Sequence, residues 1–236
     1  MTTLTIIGVQ TGLPRTLGTP GAAEPMDREW TTGFFKEAVV GARQVRPLGI
    51  EGDGQADLVN HGGPDKAINV YPSEHYAVWV EELSRTLRAG AFGENFTTTG
   101  MTEREVCVGD VFQWGELCLQ VSQPRQPCWK LARRWRIKDL AARVERTGRT
   151  GWYFRVLRGG PVQVGMVLEL VERIAPEWSI AAANEIMHHR KEDVEAARAL
   201  AGCPGLSASW QRSLTRRAFG EVGDTSARLD GPPSAR

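Results

Sequence analysis

Cys128 is the residue of this chain best equipped for chemistry. It lies in Ser122-Gln123-Pro124-Arg125-Gln126-Pro127-Cys128-Trp129-Lys130-Leu131, where two prolines fix the approach to the sulfur. Arg125, Lys130, Arg133 and Arg134 fall within a few residues of it. Positive charge favours thiolate over thiol, so Cys128 is expected to be the most acidic of the four cysteines. A thiolate is a nucleophile or a soft metal ligand, and the spacing alone leaves both open. Cys107 and Cys118 sit inside strand-like patterns and read as buried core thiols, while Cys203, beside Pro204, has no notable neighbours.

Three other stretches gather polar and glycine residues. Glu51-Gly52-Asp53 and Asp57 lead into Asn60-His61-Gly62-Gly63-Pro64-Asp65-Lys66. The paired glycines, Gly62 and Gly63, allow close backbone approach to a ligand, and His61 and Lys66 bring donors. The same residues also suit a tight turn between strands. They are no phosphate-binding P-loop, because the Gly-x4-Gly-Lys-Ser/Thr spacing is missing. In Phe92-Gly93-Glu94-Asn95-Phe96, Glu94 and Asn95 either read the edge of a heterocycle or form an Asx-type turn re-entering a sheet. Gly151-Trp152-Tyr153-Phe154-Arg155 joins core aromatics to one charge, Arg155. His61 is the best placed of the four histidines; His75 opens a helix, and His188 and His189 close one. Cys-x2-Cys, His-x3-His and His-Glu-x2-His are all missing, so an all-protein zinc site is not expected.

The elements that must position these groups follow from apolar periodicity. Leu4 to Val9 reads as a strand, and Thr11 to Pro25 as a loop. Val39-Val40, Val45 and Ile68 to Tyr71 are further strand candidates. Ser73 caps a helix whose stripe is Tyr76, Trp79, Val80, Leu83 and Leu87, with Gly90 as its stop. Val106 and Val108 alternate, and Val111 to Trp114 returns as Leu117, Leu119, Val121 in a hairpin over Gly115-Glu116. A basic helical segment follows Cys128, then a short helix carrying Ile137, Leu140, Ala141 and Val144 that Gly148 ends. Trp152 to Leu157 and Val162 to Val171 read as closing strands. Helices are expected over Ser179 to His189, Glu192 to Ala201 and Ser209 to Phe219. The predicted fold is therefore mainly β, with a β-rich domain over residues 1–175, three helices over 176–220 and a poorly ordered tail over 221–236. The helices read as a stabilising cap, a lid, or a surface for docking or dimerisation.

The chain has 236 residues, 41% hydrophobic and 24% charged, with 29 Lys+Arg against 28 Asp+Glu. A net charge of +1 supplies no global pull toward nucleic acid or anionic lipid, so neither is an expected partner. No apolar run of ~20 residues offers a membrane span. The start, MTTLTIIGVQ, lacks a basic n-region, and the cysteine spacing argues against a disulfide framework, so a cytoplasmic location is expected.

Taken together and in order, Glu51-Gly52-Asp53, Asn60-His61-Gly62-Gly63-Pro64-Asp65-Lys66-Ala67, Phe92-Gly93-Glu94-Asn95-Phe96, Val108-Gly109-Asp110 and Ser122 to Cys128 resemble a MOSC domain, the carboxy-terminal domain of molybdenum-cofactor sulfurase. The subgroup they resemble is the YiiM-like, or 6-N-hydroxylaminopurine resistance, proteins, which add three helices after the barrel. The resemblance implies a strongly curved β-barrel with inserted helices that binds molybdenum cofactor, with Cys128 as the thiolate ligand to the metal. It implies that Gly62, Gly63, Lys66, Gly93, Glu94, Asn95, Arg125, Lys130 and Arg155 contact the cofactor. The implied reaction is two-electron reduction of hydroxylamino-purines, hydroxylamines or amidoximes, with His61 supplying protons and Glu94 and Asp110 as weaker candidates. Asp110 serves equally well as a turn residue. No flavin or iron–sulfur motif is visible, so the resemblance implies a separate electron-donating reductase, a flavoprotein. Two rivals stay open: a non-catalytic carrier of the cofactor or of sulfur on Cys128, and a hydrolase with Cys128 as nucleophile and His61 as base.

Overall fold

The structure is a computed structural model in which residues 3–221 and 223–231 are described. Its strands are β1 (Thr3–Thr11), β2 (Arg15–Leu17), β3 (Trp30–Thr32), β4 (Glu37–Ala38), β5 (Arg43–Arg46), β6 (Gly49–Ile50) and β7 (Ile68–Pro72), then, past helix α1 (Glu74–Leu83), β8 (Phe96–Thr99), β9 (Val111–Trp114) and β10 (Leu117–Pro124). Helices α2 (Trp129–Trp135) and α3 (Leu140–Thr147) precede β11 (Trp152–Arg158), β12 (Gly160–Val162) and β13 (Val167–Glu172). The chain continues through α4 (Ile180–Asn184), a π turn (Glu185–His189), α5 (Val194–Ala201), α6 (Ala208–Ala218) and α7 (Ser226–Asp230).

Seven strands close into a barrel in the order β13-β9-β10-β11-β7-β8-β1, with β1 pairing back to β13 through Leu4 and Leu168. Closure removes the exposed edges that an open sheet would present. All these pairings are antiparallel except β7–β8, which are parallel because α1 carries the chain back between them. The period-two pattern turns Leu4 and Ile6 of β1, and Leu117, Leu119 and Val121 of β10, into the interior with Phe96, Phe112 and Phe154. Outside the barrel, α1, α2 and α3 cover a second core of Trp79, Leu131, Leu140 and Val144, where the Tyr71 and Phe92 rings stack at 4.2 Å.

Several elements differ from the sequence expectation. Helix α1 stops at Leu83 because Ser84 turns left-handed (φ 50°); Gly90 belongs to the following loop, where its N–H meets the Glu94 carboxylate. Val106 and Val108 lie outside the named strands: the Asp110 carboxylate takes the Cys107 N–H at 2.9 Å, and the Val108 N–H bonds Trp178 at 2.9 Å. The Val162–Val171 run splits into β12 and β13. Part of the Thr11–Pro25 loop is strand β2, paired with β3. In the tail, residues 226–230 are helical: Arg228 donates to the Pro127 carbonyl at 2.5 Å and pairs with Glu145. Residues 222 and 232–236 of that tail lie outside the described residues.

The helices after β13 pack directly on the barrel. Ser207 donates its N–H to the Ser122 carbonyl at 2.8 Å and its hydroxyl to Gln123 at 2.7 Å. Gly205 lies so close to Gly109 that a Cβ on it would sit 2.3 Å from the Gly109 Cα, and Gly109 itself has φ +85°. Ile180, Ala183, Leu206 and Trp210 join the same buried cluster as Val106 and Val108.

Candidate functional site

The loop after β6 is shaped by Asp57. Its carboxylate accepts N–H bonds from Val59 (3.1 Å) and Asn60 (3.0 Å), and the Asn60 side chain bonds it at 3.0 Å. His61 donates its backbone N–H to the Asp57 carbonyl at 2.9 Å, and its Nδ1 lies 3.3 Å from Oδ2. The other ring nitrogen, Nε2, lies 3.5 Å from Cys128 Sγ. Burial would raise the Asp57 pKa, but the Asn60 hydrogen bonds and the charges of His61 and Lys130 bring it down to about 2. An ionised Asp57 only accepts, so a hydrogen of the His61 ring belongs on Nδ1, and Nε2 is the atom through which a proton passes between ring and sulfur.

Cys128 ends the Pro-bracketed loop after β10 and is 8% exposed. Burial disfavours its thiolate; the His61 hydrogen bond and charge, the Arg125 charge and the Lys130 backbone N–H outweigh it and lower the pKa to about 7. Burial raises the other three thiols, Cys107, Cys118 and Cys203. Of the basic residues visible in the sequence, Arg125 acts through its charge and Lys130 through its backbone N–H, while the largest lowering comes from His61, 67 residues earlier in the chain.

Two spaces meet at this sulfur. The first is a solvent-open cleft of about 630 Å³ among the barrel loops, lined in part by Lys36, Asp53, Asn95, Arg125 and Lys130. Lys36 pairs with Asp53, and their side chains are 6% and 3% exposed. Asp53 also accepts from the Gly12 N–H at 2.8 Å and the Asn95 amide at 2.9 Å, and Asn95 Oδ1 takes the Asn69 N–H at 3.0 Å. Arg125 is 4% exposed, and its buried Nη1 has no partner among the described residues. The second space is a groove between this loop region and α6, which Asp57, His61, Lys66, Gln126, Cys128 and Tyr153 also line.

The expected site residues therefore divide. Cys128, His61, Lys66, Gly93, Asn95, Arg125 and Lys130 border the cleft. Gly62 instead packs on Leu58, where a Cβ would come within 2.8 Å of the Leu58 Cα, and Gly63 takes the positive φ of +92° that starts the turn. Glu94 is turned fully inward: it accepts from the Gly90 N–H (2.7 Å), the Phe92 N–H (3.0 Å) and the Thr97 hydroxyl (2.9 Å), and Tyr76 donates to it too. It builds the loop and does not border the cleft. Arg155 also points elsewhere, pairing with Asp65 at 2.8 Å and Gln120 at 3.0 Å. Asp110 is a buried structural carboxylate on Arg173 at 2.7 Å. His75 meets Glu103 at 2.6 Å, away from the site.

Lys36 belongs to no motif in the sequence, and Asp53 and Asp57 stand there only as parts of one. A lysine directly after Phe34-Phe35 was the available signal, since a cation in an apolar neighbourhood needs a carboxylate.

Residues 57–169 match the MOSC domain, and residues 178–217 match the YiiM-like, 3-alpha helix domain. The chain is 47% identical over 201 residues to YflK of Bacillus subtilis and 42% identical over 204 residues to YiiM of Escherichia coli, each match covering 85% of this chain and 91% of the relative. A protein of Gibberella moniliformis named a reductase is 36% identical over 166 residues, which make up 29% of its length and 69% of this chain. The crystal structure of YiiM from Geobacillus stearothermophilus superposes with a TM-score of 0.77 at 39% identity, covering 91% of this chain and 99% of that one. That of E. coli YiiM gives 0.75 at 40%, covering 84% and 94%. A closed barrel continued by three helices, and YflK and YiiM relatives matched along nearly their whole length, place this chain in the YiiM-like family of MOSC-domain proteins.

Proposed function

We propose that the protein is a molybdenum-cofactor-dependent reductase of N-hydroxylated compounds such as hydroxylamino-purines, hydroxylamines and amidoximes. One observation carries the reading: an acidified thiol, Cys128, stands beside His61 where a charged cleft meets a second open space. The residues fit the cofactor. Among the described residues no group of three or more His, Cys, Asp or Glu side chains could hold a metal, so a metal bound here would bring most of its ligands with it. The buried, unpartnered Nη1 of Arg125, with Lys130 nearby in the lining, suits an anionic ligand that supplies acceptors. The relative named a reductase supports the coarser claim of reductive chemistry.

When bound, the cofactor supplies two-electron redox chemistry and an acceptor for oxygen. The chain does the rest. Cys128 contributes the soft sulfur ligand. Arg125 and Lys130 bind anionic groups, while the Lys36–Asp53–Asn95 assembly holds the shape of the cleft. His61, oriented by Asp57, relays protons at Nε2. The balance, R–NHOH + 2e⁻ + 2H⁺ → R–NH₂ + H₂O, calls for two protons per turnover, and an imidazole reprotonated from the open groove can deliver them in succession. Electrons enter from a separate donor, a flavoprotein reductase, since four scattered cysteines offer no iron–sulfur ligand set.

The Asp57–His61–Cys128 relay also suits a thiol nucleophile, and the two readings part at the metal. After expression in a host that makes the cofactor, the wild type is expected to carry molybdenum and pterin and to reduce 6-hydroxylaminopurine with a chemical reductant. Cys128→Ala is expected to lose the metal while keeping its circular dichroism spectrum. Full molybdenum content in that variant, or alkylation-sensitive hydrolysis by metal-free protein, would overturn the reading.

A further inference from the structure

The groove on the helical side of Cys128 is broad and open to solvent, with room for more than a free base. Its barrel side offers Lys66 and the aromatic side chains of Tyr153 and Trp129; its far wall is α6, with Arg212 and Arg216. Four residues apart on one helix, these arginines share a face. Both are exposed, and neither has a hydrogen-bonded or ion-paired side-chain partner among the described residues. Other arginines of the helices are engaged: Arg198 meets Glu195 at 2.7 Å, Arg190 pairs with Asp193, and Arg217 donates to the Ile186 and Met187 carbonyls. The carboxylates bordering the groove already have donors, Asp57 from Asn60 and Asp224 from Ser226. Lys66, whose Nζ donates to the Asn60 carbonyl at 2.6 Å, lies across the groove, so two unpartnered guanidinium groups and a third cation face a space whose carboxylates are already engaged.

We propose that this groove is the substrate site and that Arg212 and Arg216, with Lys66, bind an oxyanion carried by the substrate, making the favoured substrate a phosphate-bearing N-hydroxylated purine, a nucleotide in preference to the base. Guanidinium forks grip phosphate oxygens in pairs, and the aromatic residues lining the groove suit a planar ring. The identity of the reacting end rests on the reductase reading above; the anion site does not. The cofactor also carries a phosphate, so the same chemistry has a second possible source.

The test separates the two. Metal-free, cofactor-free protein is titrated with 6-hydroxylaminopurine ribonucleoside and with its 5′-monophosphate at low salt. Wild type is expected to bind the monophosphate about tenfold more tightly, the scale of one charge-assisted hydrogen bond. In Arg212→Gln/Arg216→Gln that preference is expected to collapse toward unity, and in Arg198→Gln, on another helix, to persist. Equal binding of the two ligands by wild type, or a preference surviving in the double variant, would overturn the proposal. In the second arm, pterin is quantified after expression in a cofactor-making host. A double variant that loses its pterin would show that the arginines hold the cofactor's phosphate, and the proposal would fall. Absence of molybdenum from wild type would defeat the reductase reading while leaving the monophosphate preference standing.

Discussion

On the barrel side of Cys128, Lys36 is matched by Asp53, and Asp53 in turn takes hydrogen bonds from Gly12 and Asn95. On the helical side, Arg212 and Arg216 face the groove with no carboxylate partner among the described residues. The first wall largely satisfies itself; of its buried side-chain atoms among the described residues, Arg125 Nη1 and Asn69 Oδ1 are left over. The second waits for charge from outside. A self-satisfied wall suits a ligand that stays, and an unsatisfied, solvent-open one suits a ligand that comes and goes.

The largest effect that could break this contrast is on stability. Asp53→Ala leaves Lys36 buried without its counter-charge and is expected to cost about 3–5 kcal/mol in urea unfolding. A cost under about 1 kcal/mol would mean that the cleft wall is no more committed than the groove. Next comes His61, which borders both spaces. His61→Gln removes the hydrogen bond and charge that favour the Cys128 thiolate, so the midpoint of alkylation rate against pH in cofactor-free protein should rise from about 7 toward the ordinary 9. Turnover of the loaded enzyme should fall about a hundredfold, a typical loss for a proton-transfer group. Asp57→Asn leaves the ring in place but removes its charged partner, and about a tenfold loss of turnover is expected, with KM little changed.

At neutral pH the smallest effect lies where the helical side meets α3. Burial, aided by the charges of Arg228, His189, Lys191 and Arg217, pushes His188 down from 6.5 to about 3; nearby Glu145, 3.3 Å from its Nδ1, is already held by Arg228. As pH falls below 6.5 the unfolded chain takes up a proton that the folded imidazole refuses until about 3, so stability drains away through that window and none of this loss is felt at pH 8. His188→Gln should flatten the acid limb of stability against pH by up to about 1.4 kcal/mol per pH unit. An unchanged slope would show that the helical side has no special sensitivity to acid.

What the sequence made legible was local. Alternation around Gly115-Glu116 marks the β9–β10 hairpin, and Arg125 near Cys128 is one of the groups that acidify its thiol, although His61, 67 residues earlier, does more. The His61 loop was visible because its polar residues are neighbours in the chain. Glu94 and Arg155 misled because residue type suggests ligand contact while direction is set by partners that type does not reveal. Backbone N–H groups of Gly90 and Phe92, with Thr97 and Tyr76, draw Glu94 inward, and Asp65, far back in the chain, draws Arg155 aside. Lys36 and Asp53 were harder still, since neither explains itself until the barrel brings a β4 flank to the loop after β6. The groove was illegible, because its second wall comes from α6, about 150 residues later in the chain.

The bare contact of Gly109 with Gly205 has a mechanical consequence. Main chain rests on main chain there, with no side chain between to act as a spring. A single methyl on Gly205 would act as a shim against that main chain, displacing the approach to α6 and with it the arginines on the groove wall, while one on Gly109 would press first on Ile174. One absent carbon atom thereby helps set the gauge of the channel.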